Sequence, residues 1–419
     1  MKLSEQDFNP VAKVRESTNF TVREVKKVCK NIGPRGSGSE NENKAQDYIL
    51  ENCAKFADEA KKEPFTMAPR AFMSWPWLCA IIMMISAALY VGANFVPVAA
   101  FGMRVAALAL VVFAILVIVL EFLFYKPVLD GFFKKKPSSN VVLTRKPSGE
   151  VKRRIVFCGH VDSAYEWRFT YLGGPKLVTA IIACAIACIA ICLVADILTL
   201  AVELPEKLQL ACTIAECVSF FVVIVGYFFD NPKRAVEGAN DNLTGVFASM
   251  SVLQFLSFNN IRFENTEVVA VSMGCEEAGL RGSKVFAKTH DFSDVETVCI
   301  AVDTLRDFEY MGVFHKDMTG TVKHDKQAVA LLKKASEMAG LDLPLSSVFF
   351  GSSDAAALTQ GGMKAVLLAA MDPAPARYYH TRLDTADNMD IHTVEKGVET
   401  LLNAAFLFDE QGLKDKYED

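Results

Sequence analysis

Several signals that would direct a reading elsewhere are missing from this chain. It has no basic field: 44 Lys and Arg stand against 49 Asp and Glu, for a formal net charge of −5. No RNA- or DNA-binding motif accompanies them, which sets nucleic acid aside as a partner. The 11 cysteines are an odd count without framework spacing. Cys184, Cys188, Cys192, Cys212 and Cys217 lie inside apolar runs, where thiols behave as small hydrophobes. That usage argues against a secreted disulfide scaffold and for thiols in a reducing compartment. The first 70 residues are polar and lack the apolar core of a signal sequence, so membrane insertion is expected to use internal segments.

What the chain has in quantity is apolar sequence. Hydrophobic residues make up 52% of 419 residues, and a mean hydropathy of +0.24 is high for a purely soluble protein. Trp77 to about Ala100 and Met103 to about Tyr125 carry almost no charge, and each is long enough to cross about 30 Å of hydrocarbon. Trp75, Trp77 and Tyr125 sit at the ends of this first hairpin, where aromatic rings favour the interface. Leu177 to Leu200 and Leu208 to Phe229 predict a second hairpin. Arg70, Lys126, Lys134, Lys135, Lys136, Arg168, Lys176, Lys233 and Arg234 flank the spans on the side of the polar sequence, whereas the opposite turns hold only Arg104 and Lys207. The positive-inside rule then predicts a multi-pass protein of the cell membrane with its polar domain in the cytoplasm. Residues 1–71, 131–175 and 231–419 would form that domain, interrupted by hairpins over 72–130 and 176–230.

The polar sequence alternates helix and strand patterns. Apolar positions at helical spacing from Phe20 to Ala54 are broken by Ile32-Gly33-Pro34-Arg35-Gly36-Ser37-Gly38, giving two helices that feed a short strand ending near Met67. Strands are expected over Asn140–Thr144, Arg154–Cys158, Glu267–Met273, Thr297–Val302 and Ala365–Ala369. Helices are expected over Thr244–Phe258, Asp325–Ala339 and Thr393–Asp409. The alternation predicts an α/β fold, a mixed and mostly parallel sheet sandwiched by helices.

Histidines and carboxylates fall where such a sheet gathers its loops. His160 and Asp162 follow the strand ending at Cys158, Glu276 and Glu277 follow the strand ending at Met273, and Asp303 follows Val302. His380 comes after the strand ending at Ala369, by way of a Pro-containing loop, and Asp241 stands in the cluster Asn240-Asp241-Asn242. A hard divalent pair needs imidazole and carboxylate ligands with one carboxylate able to bridge, and the carboxyl ends of strands are where open α/β sheets present ligands. Taken singly, Glu276-Glu277 also suits a solvated acidic pair at a helix start. His290, His315, His324 and His392 lie outside any cluster and read as surface or structural residues.

Gly159-His160-Val161-Asp162-Ser163, Gly238-Ala239-Asn240-Asp241-Asn242, Cys275-Glu276-Glu277-Ala278-Gly279-Leu280-Arg281-Gly282-Ser283, Asp303 and Tyr379-His380-Thr381-Arg382-Leu383-Asp384-Thr385 occur in the order of the M28 family of co-catalytic zinc aminopeptidases, and the chain closely resembles that family. Arg35-Gly36-Ser37-Gly38 and Gly351-Ser352-Ser353-Asp354 extend the resemblance. It implies a zinc exopeptidase fold and two Zn2+ per chain. His160 and Asp303 would hold one ion, Glu277 and His380 the other, with Asp241 bridging. Glu276 would be the general base, Tyr379 an oxyanion donor, and Asp162 a carboxylate fixing the imidazole of His160. A cis peptide at Asp241-Asn242 is part of the same expectation, and peptides would be the substrates. Here 78 residues separate Asp162 from Asp241 where the family has a short loop, and Ala355 stands where many relatives carry a histidine.

Two other functions fit parts of the pattern: a membrane scaffold or receptor that has lost catalysis, and a single-zinc acyltransfer on N-terminal glutamine. Lipid is an expected partner, and the sequence sets no oligomeric state. Within the spans, Cys184, Cys188 and Cys192 at helical spacing suit close helix packing. Asp196 and Glu216 are costly there, and read as snorkelling groups, a pair sharing a proton, the lining of a polar cavity or an oligomer contact.

Overall fold

The computed structural model describes residues 10–374 and 376–417. The chain forms two compact units: Met1–Pro69, Lys135–Tyr165 and Arg234–Asp419 make the first, and Arg70–Lys134 and Glu166–Lys233 the second. In chain order the helices are α1 (Pro10–Asn31), α2 (Glu40–Cys53), α3 (Trp75–Gly92), α4 (Ala100–Val117), α5 (Arg168–Ala201), α6 (Glu206–Val223), α7 (Gly245–Phe258), α8 (Arg281–Thr289), α9 (Lys326–Met338), α10 (Asp354–Gln360) and α11 (Ile391–Gln411). The strands are β1 (Glu59–Met67), β2 (Lys136–Arg145), β3 (Arg153–His160), β4 (Tyr165–Trp167), β5 (Asp230–Ala235), β6 (Thr266–Met273), β7 (Glu296–Leu305), β8 (Met311–Asp317), β9 (Val322–Lys323), β10 (Leu345–Ser347) and β11 (Ala365–Ala370).

The first unit is built on a nine-stranded sheet in the order β1-β2-β6-β3-β7-β11-β8-β10, with β9 beside β8. The central strands β6, β3, β7 and β11 run parallel, so their carboxyl ends share one edge. The outer pairings β1–β2, β2–β6 and β8–β11 are antiparallel. The fold is therefore a mixed α/β sheet with a mostly parallel centre, as the helix–strand alternation predicts.

Period-two alternation builds two cores on this sheet. Ile155 and Phe157 of β3 join Val298, Ile300, Val366 and Leu368 under α1, α7 and α11. Val156 and Cys158 point the other way, with Val271, Cys299 and Leu367, onto Phe286 of α8 and Leu358 of α10. Each large apolar side chain enclosed in this way contributes about 1.5–3 kcal/mol. Helix starts are capped: Ser39 accepts the Glu42 N–H at 3.1 Å, and Asp325 accepts the N–H groups of Gln327 and Ala328 at 2.9 and 3.0 Å.

Gly159 lets this scaffold close next to the site. A Cβ there would lie 2.7 Å from both Gly245 C and Val246 N, so only glycine allows α7 to start against β3 beside His160.

The second unit carries four helical segments long and apolar enough to cross a membrane: Phe72–Gly92, Pro97–Leu123, Arg168–Ala201 and Glu206–Phe228. Outward-facing apolar groups such as Phe221, 70% exposed, and Ile186, 62% exposed, suit a lipid environment. Inside, Tyr90, Ala107, Ala195 and Cys212 bring one residue from each of α3, α4, α5 and α6 into one cluster. Helix α5 starts at Arg168, well before the apolar run at Leu177, and turns at Gly174 (φ 64°) ahead of Pro175. The apolar run marks only the part beyond that kink, because the preceding turn is polar and glycine-rich.

Candidate metal centre

The loops at the carboxyl edge of the sheet converge. His160 ends β3, Asp303 lies near the end of β7, Glu276 and Glu277 follow β6, and His380 stands in the loop after β11. Asp241 belongs to the helical turn Ala239–Thr244 that leads into α7. The two oxygens of Asp241 face different imidazoles: Oδ1 is 3.2 Å from His160 Nε2, and Oδ2 is 3.1 Å from His380 Nε2. His160 Nε2 also lies 4.0 Å from Asp303 Oδ2, and His380 Nε2 lies 3.2 Å from Glu277 Oε1.

Two ligand groups result, His160-Asp241-Asp303 and Asp241-Glu277-His380, each with its donor atoms within 4.8 Å of one another and both sharing Asp241. A third group, His160-Glu276-Glu277, satisfies the same spacing. Glu276 Oε2 is 3.8 Å from His160 Nε2, so geometry alone also allows it a ligand role. The donor set is imidazole nitrogen and carboxylate oxygen, which suits zinc.

The electrostatics of the cluster point the same way. Burial opposes charge on the His160 imidazole, yet Glu276, Asp162, Asp241 and Asp303 hold it well above its ordinary value. His380 likewise overcomes burial through Glu277 and Asp241 and is pushed up to about 10. Burial and then Asp241 raise Asp303 to about 7. Burial raises Glu276 well above its usual range, partly offset by His160 and reinforced by Glu277. Asp241 moves the other way: burial alone would raise it, but its bonds to His160 and His380 hold it below the carboxylate range. Without cations, the crowded carboxylates retain protons on themselves and on the two imidazoles, which is how a buried negative excess is relieved.

A second ring of residues fixes the ligands. Asp162 Oδ1 accepts the Glu276 N–H at 3.0 Å, and its Oδ2 accepts the Glu277 N–H at 3.1 Å and the Ser37 hydroxyl at 2.6 Å. His160 Nδ1 lies 3.1 Å from the Asp162 carbonyl oxygen and 3.5 Å from its carboxylate. Asp162 therefore orients the imidazole mainly through its backbone and spends its carboxylate on the Glu276-Glu277 loop. The ring of Tyr379 stacks on that of His380 with centroids 3.8 Å apart. Burial, then the charges of Asp241 and Glu277, raise its phenol well above the ordinary range, so it stays protonated and able to donate.

Most other members of this ring lie within the motifs quoted above, but the sequence assigns them no role. Asp384 accepts the N–H of Asn240 at 2.9 Å, the side-chain amide of Asn240 at 2.7 Å and the N–H of Asp241 at 3.1 Å, clamping the shared carboxylate. Asn242 Oδ1 accepts the N–H groups of Gly245 and Thr304 at 3.0 and 3.2 Å, tying α7 to the end of β7. The Asp241-Asn242 peptide is cis. Glu42 accepts the N–H groups of Gly38 and Cys275 at 2.7 and 2.8 Å, and Arg35, fully buried, donates to the carbonyls of Val161, Glu237 and Gly238. Cys275, Thr304 and His380 adopt positive φ of 55°, 46° and 52°. Non-glycine residues there cost on the order of 1–3 kcal/mol, and such strain clusters at functional sites. Of the remaining histidines, His324 pairs with Asp317 and Thr359, His290 with Glu63, and His392 packs against Phe308.

Comparison with known proteins adds to this geometry. Residues 219–405 match the sequence profile of peptidase family M28, a span that includes Asp241, Glu276, Glu277, Asp303 and His380 but not His160. Among curated proteins, none matches the chain. The fold is similar to that of a zinc aminopeptidase from Bacillus subtilis at 12% identity and TM-score 0.55, covering 95% of each chain. It is also similar to an aminopeptidase from Aneurinibacillus sp. strain AM-1, at 14% identity and TM-score 0.53, over 94% of this chain and 95% of that one. A glutaminyl cyclase from Porphyromonas gingivalis has the same fold at 10% identity and TM-score 0.52, over 94% of this chain and 97% of that one.

Proposed function

Starting from the premise that the chain carries a peptidase family M28 domain on a zinc-exopeptidase-like fold, we propose that it is a membrane-embedded aminopeptidase that hydrolyses N-terminal residues of peptides at two zinc ions. The observation that carries this reading is the pair of imidazoles, His160 and His380, on opposite oxygens of Asp241 at 3.2 and 3.1 Å. His160, Asp241 and Asp303 would hold one ion, and Asp241, Glu277 and His380 the other.

Bound zinc would polarise the scissile carbonyl and make hydroxide available near neutrality. The side chains supply the proton handling and the positioning. Glu276, buried and close to His160, is placed to take a proton from the attacking water and deliver it to the leaving amine. Burial and the neighbouring Glu277 favour the protonated form of its carboxyl, the form that donates to the leaving amine. Tyr379, protonated and held by stacking on His380, is placed to donate to the oxygen on which negative charge develops. Asp162 and Asp384 keep the ligand loops in register and touch no reacting atom.

The four apolar helices would cross the bilayer as two hairpins, with the polar unit on the cytoplasmic side where Lys and Arg accumulate. A second reading, acyl transfer on N-terminal glutamine, has in its favour the fold shared with the Porphyromonas gingivalis glutaminyl cyclase. An inactive scaffold is disfavoured by the retention of every ligand together with Glu276. A digest of a peptide library in detergent, read by mass spectrometry with and without chelator, separates the three. Stepwise loss of N-terminal residues supports the proposal, loss of ammonia from glutamine peptides alone supports the cyclase, and no product at full metal occupancy supports the scaffold.

A further inference from the structure

The second unit holds two acidic groups that this chemistry does not use. Asp196 on α5 and Glu216 on α6 are both 0% exposed, so protein rather than lipid or water surrounds them and neither snorkels. Neither oxygen of either carboxylate has a hydrogen-bond partner. Among the described residues, the groups that act on them are each other and the Cys192 thiol beside Glu216, a weak donor.

Among the described residues, no Lys or Arg acts on either carboxylate. Arg104 of α4 donates to Asn94 Oδ1 at 3.1 Å and lies over the Tyr90 ring at 5.9 Å. The same Asn94 oxygen accepts from Gln209 at 3.2 Å and Tyr90 pairs with Thr199 at 2.6 Å, so the Arg104 guanidinium is engaged in that network with only its Nε left over. Lys207 at the start of α6 is exposed, and the helix α3 has no charged side chain. The other buried titratable groups of the four spans include the thiols Cys79 on α3, Cys188 and Cys192 on α5 and Cys212 on α6, the Tyr90 phenol, and Glu121 beyond α4, which unlike the pair accepts the Leu129 N–H at 3.1 Å. Among the described residues, no three-ligand group of metal-binding geometry includes either of the pair. Two carboxylates enclosed without counter-charge, with one thiol as their only donor, are stable there only as neutral acids.

We propose that Asp196 and Glu216 form an intramembrane proton-binding site, in which each carboxylate takes up one proton to become a carboxylic acid enclosed by the helix bundle. The site is separate from the metal centre and rests on the bilayer placement of α3–α6 given above, which carbonate extraction of the full chain tests independently.

The direct probe is dicyclohexylcarbodiimide, applied to the full chain in detergent micelles. A protonated carboxyl in an apolar setting gives its proton to a carbodiimide nitrogen, its oxygen adds to the central carbon, and acyl migration to nitrogen leaves a stable N-acylurea. Peptide mapping is expected to find this adduct on Asp196 or Glu216, in a yield that falls as pH rises and is lost in the Asp196→Asn/Glu216→Gln double variant. The thermal midpoints of wild type and double variant should agree at low pH and separate at high pH, with the wild type falling. Absence of adduct together with a midpoint difference that does not change with pH overturns the proposal. Protection from the reagent by Na+, Ca2+ or Zn2+ at fixed pH also overturns it, by assigning the site to a metal cation.

Discussion

Asp162 Oδ1 accepts the backbone N–H of Glu276 at 3.0 Å, so the loop after β3 sets the position of the loop after β6. Through the Glu277 N–H at 3.1 Å and the Ser37 hydroxyl at 2.6 Å, the same carboxylate joins three separate stretches of chain at the edge of the candidate metal centre. Nothing in this arrangement needs Asp162 to touch a reacting atom.

Asp162→Asn turns one acceptor into an amide that faces N–H and O–H donors. Metal affinity is expected to fall by about 10–100-fold while the fold persists, the usual cost of disturbing a ligand's support. Titration against a competing chelator, with circular dichroism as the control for folding, measures this. An unchanged affinity contradicts the assignment.

Asp384→Ala removes the three hydrogen bonds that fix Asn240 and Asp241. Leaving those buried donors unmet should cost about 1–3 kcal/mol of stability and lower the occupancy of both ions together, since Asp241 faces both imidazoles. Loss of one ion alone, read by elemental analysis of the purified variant, goes against a shared carboxylate.

Gly159→Ala places a Cβ 2.7 Å from backbone atoms of Gly245 and Val246, and about 1–3 kcal/mol of destabilisation is expected for forcing α7 from β3. Gly102→Ala, with nothing within 4 Å, is the control and should be near neutral. Equal thermal midpoints for the two variants would remove the packing argument for the position of His160.

Metal removal should release the site's negative excess. In the cation-free centre His160 is held above its ordinary value and His380 near 10, so protons occupy positions that metal must displace. Metal affinity therefore rises with pH through the neutral range, and binding releases protons. Calorimetry in buffers of different ionisation enthalpy counts them. The chelated protein should melt lower than the metal-loaded one, as expected for a ligand that binds only the folded state. Proton uptake on binding, or a chelator-insensitive melting point, contradicts this.

The sheet and the cluster of candidate ligands were legible for one reason: β3, β6, β7 and β11 carry apolar runs, and histidine or carboxylate lies at or beyond the end of each run. The segments β8, β9 and β10 were not, because Met311–Asp317 mixes Gly, His and Lys with its apolar residues, while the other two are only two and three residues long. The short helices α8 and α10 escaped for a similar reason, as nine and seven residues show too little period. The roles of Asp384, Glu42 and Arg35 are tertiary: Asp384 and Arg35 lie in motifs that the sequence offers, but most of the backbone partners that define what the three do arrive from distant loops. Asp196 and Glu216 stood out as charges in apolar runs, but only packing reveals that protein encloses them on every side.

The most direct test of the central claim is Glu276→Gln, purified in detergent and assayed for bound zinc and for amino-acid release from unblocked peptides. The account predicts two zinc ions per chain in both wild type and variant, with release by the wild type and none above background by the variant. Equal release by the two proteins, or a wild type that holds two ions and cleaves no peptide, contradicts it.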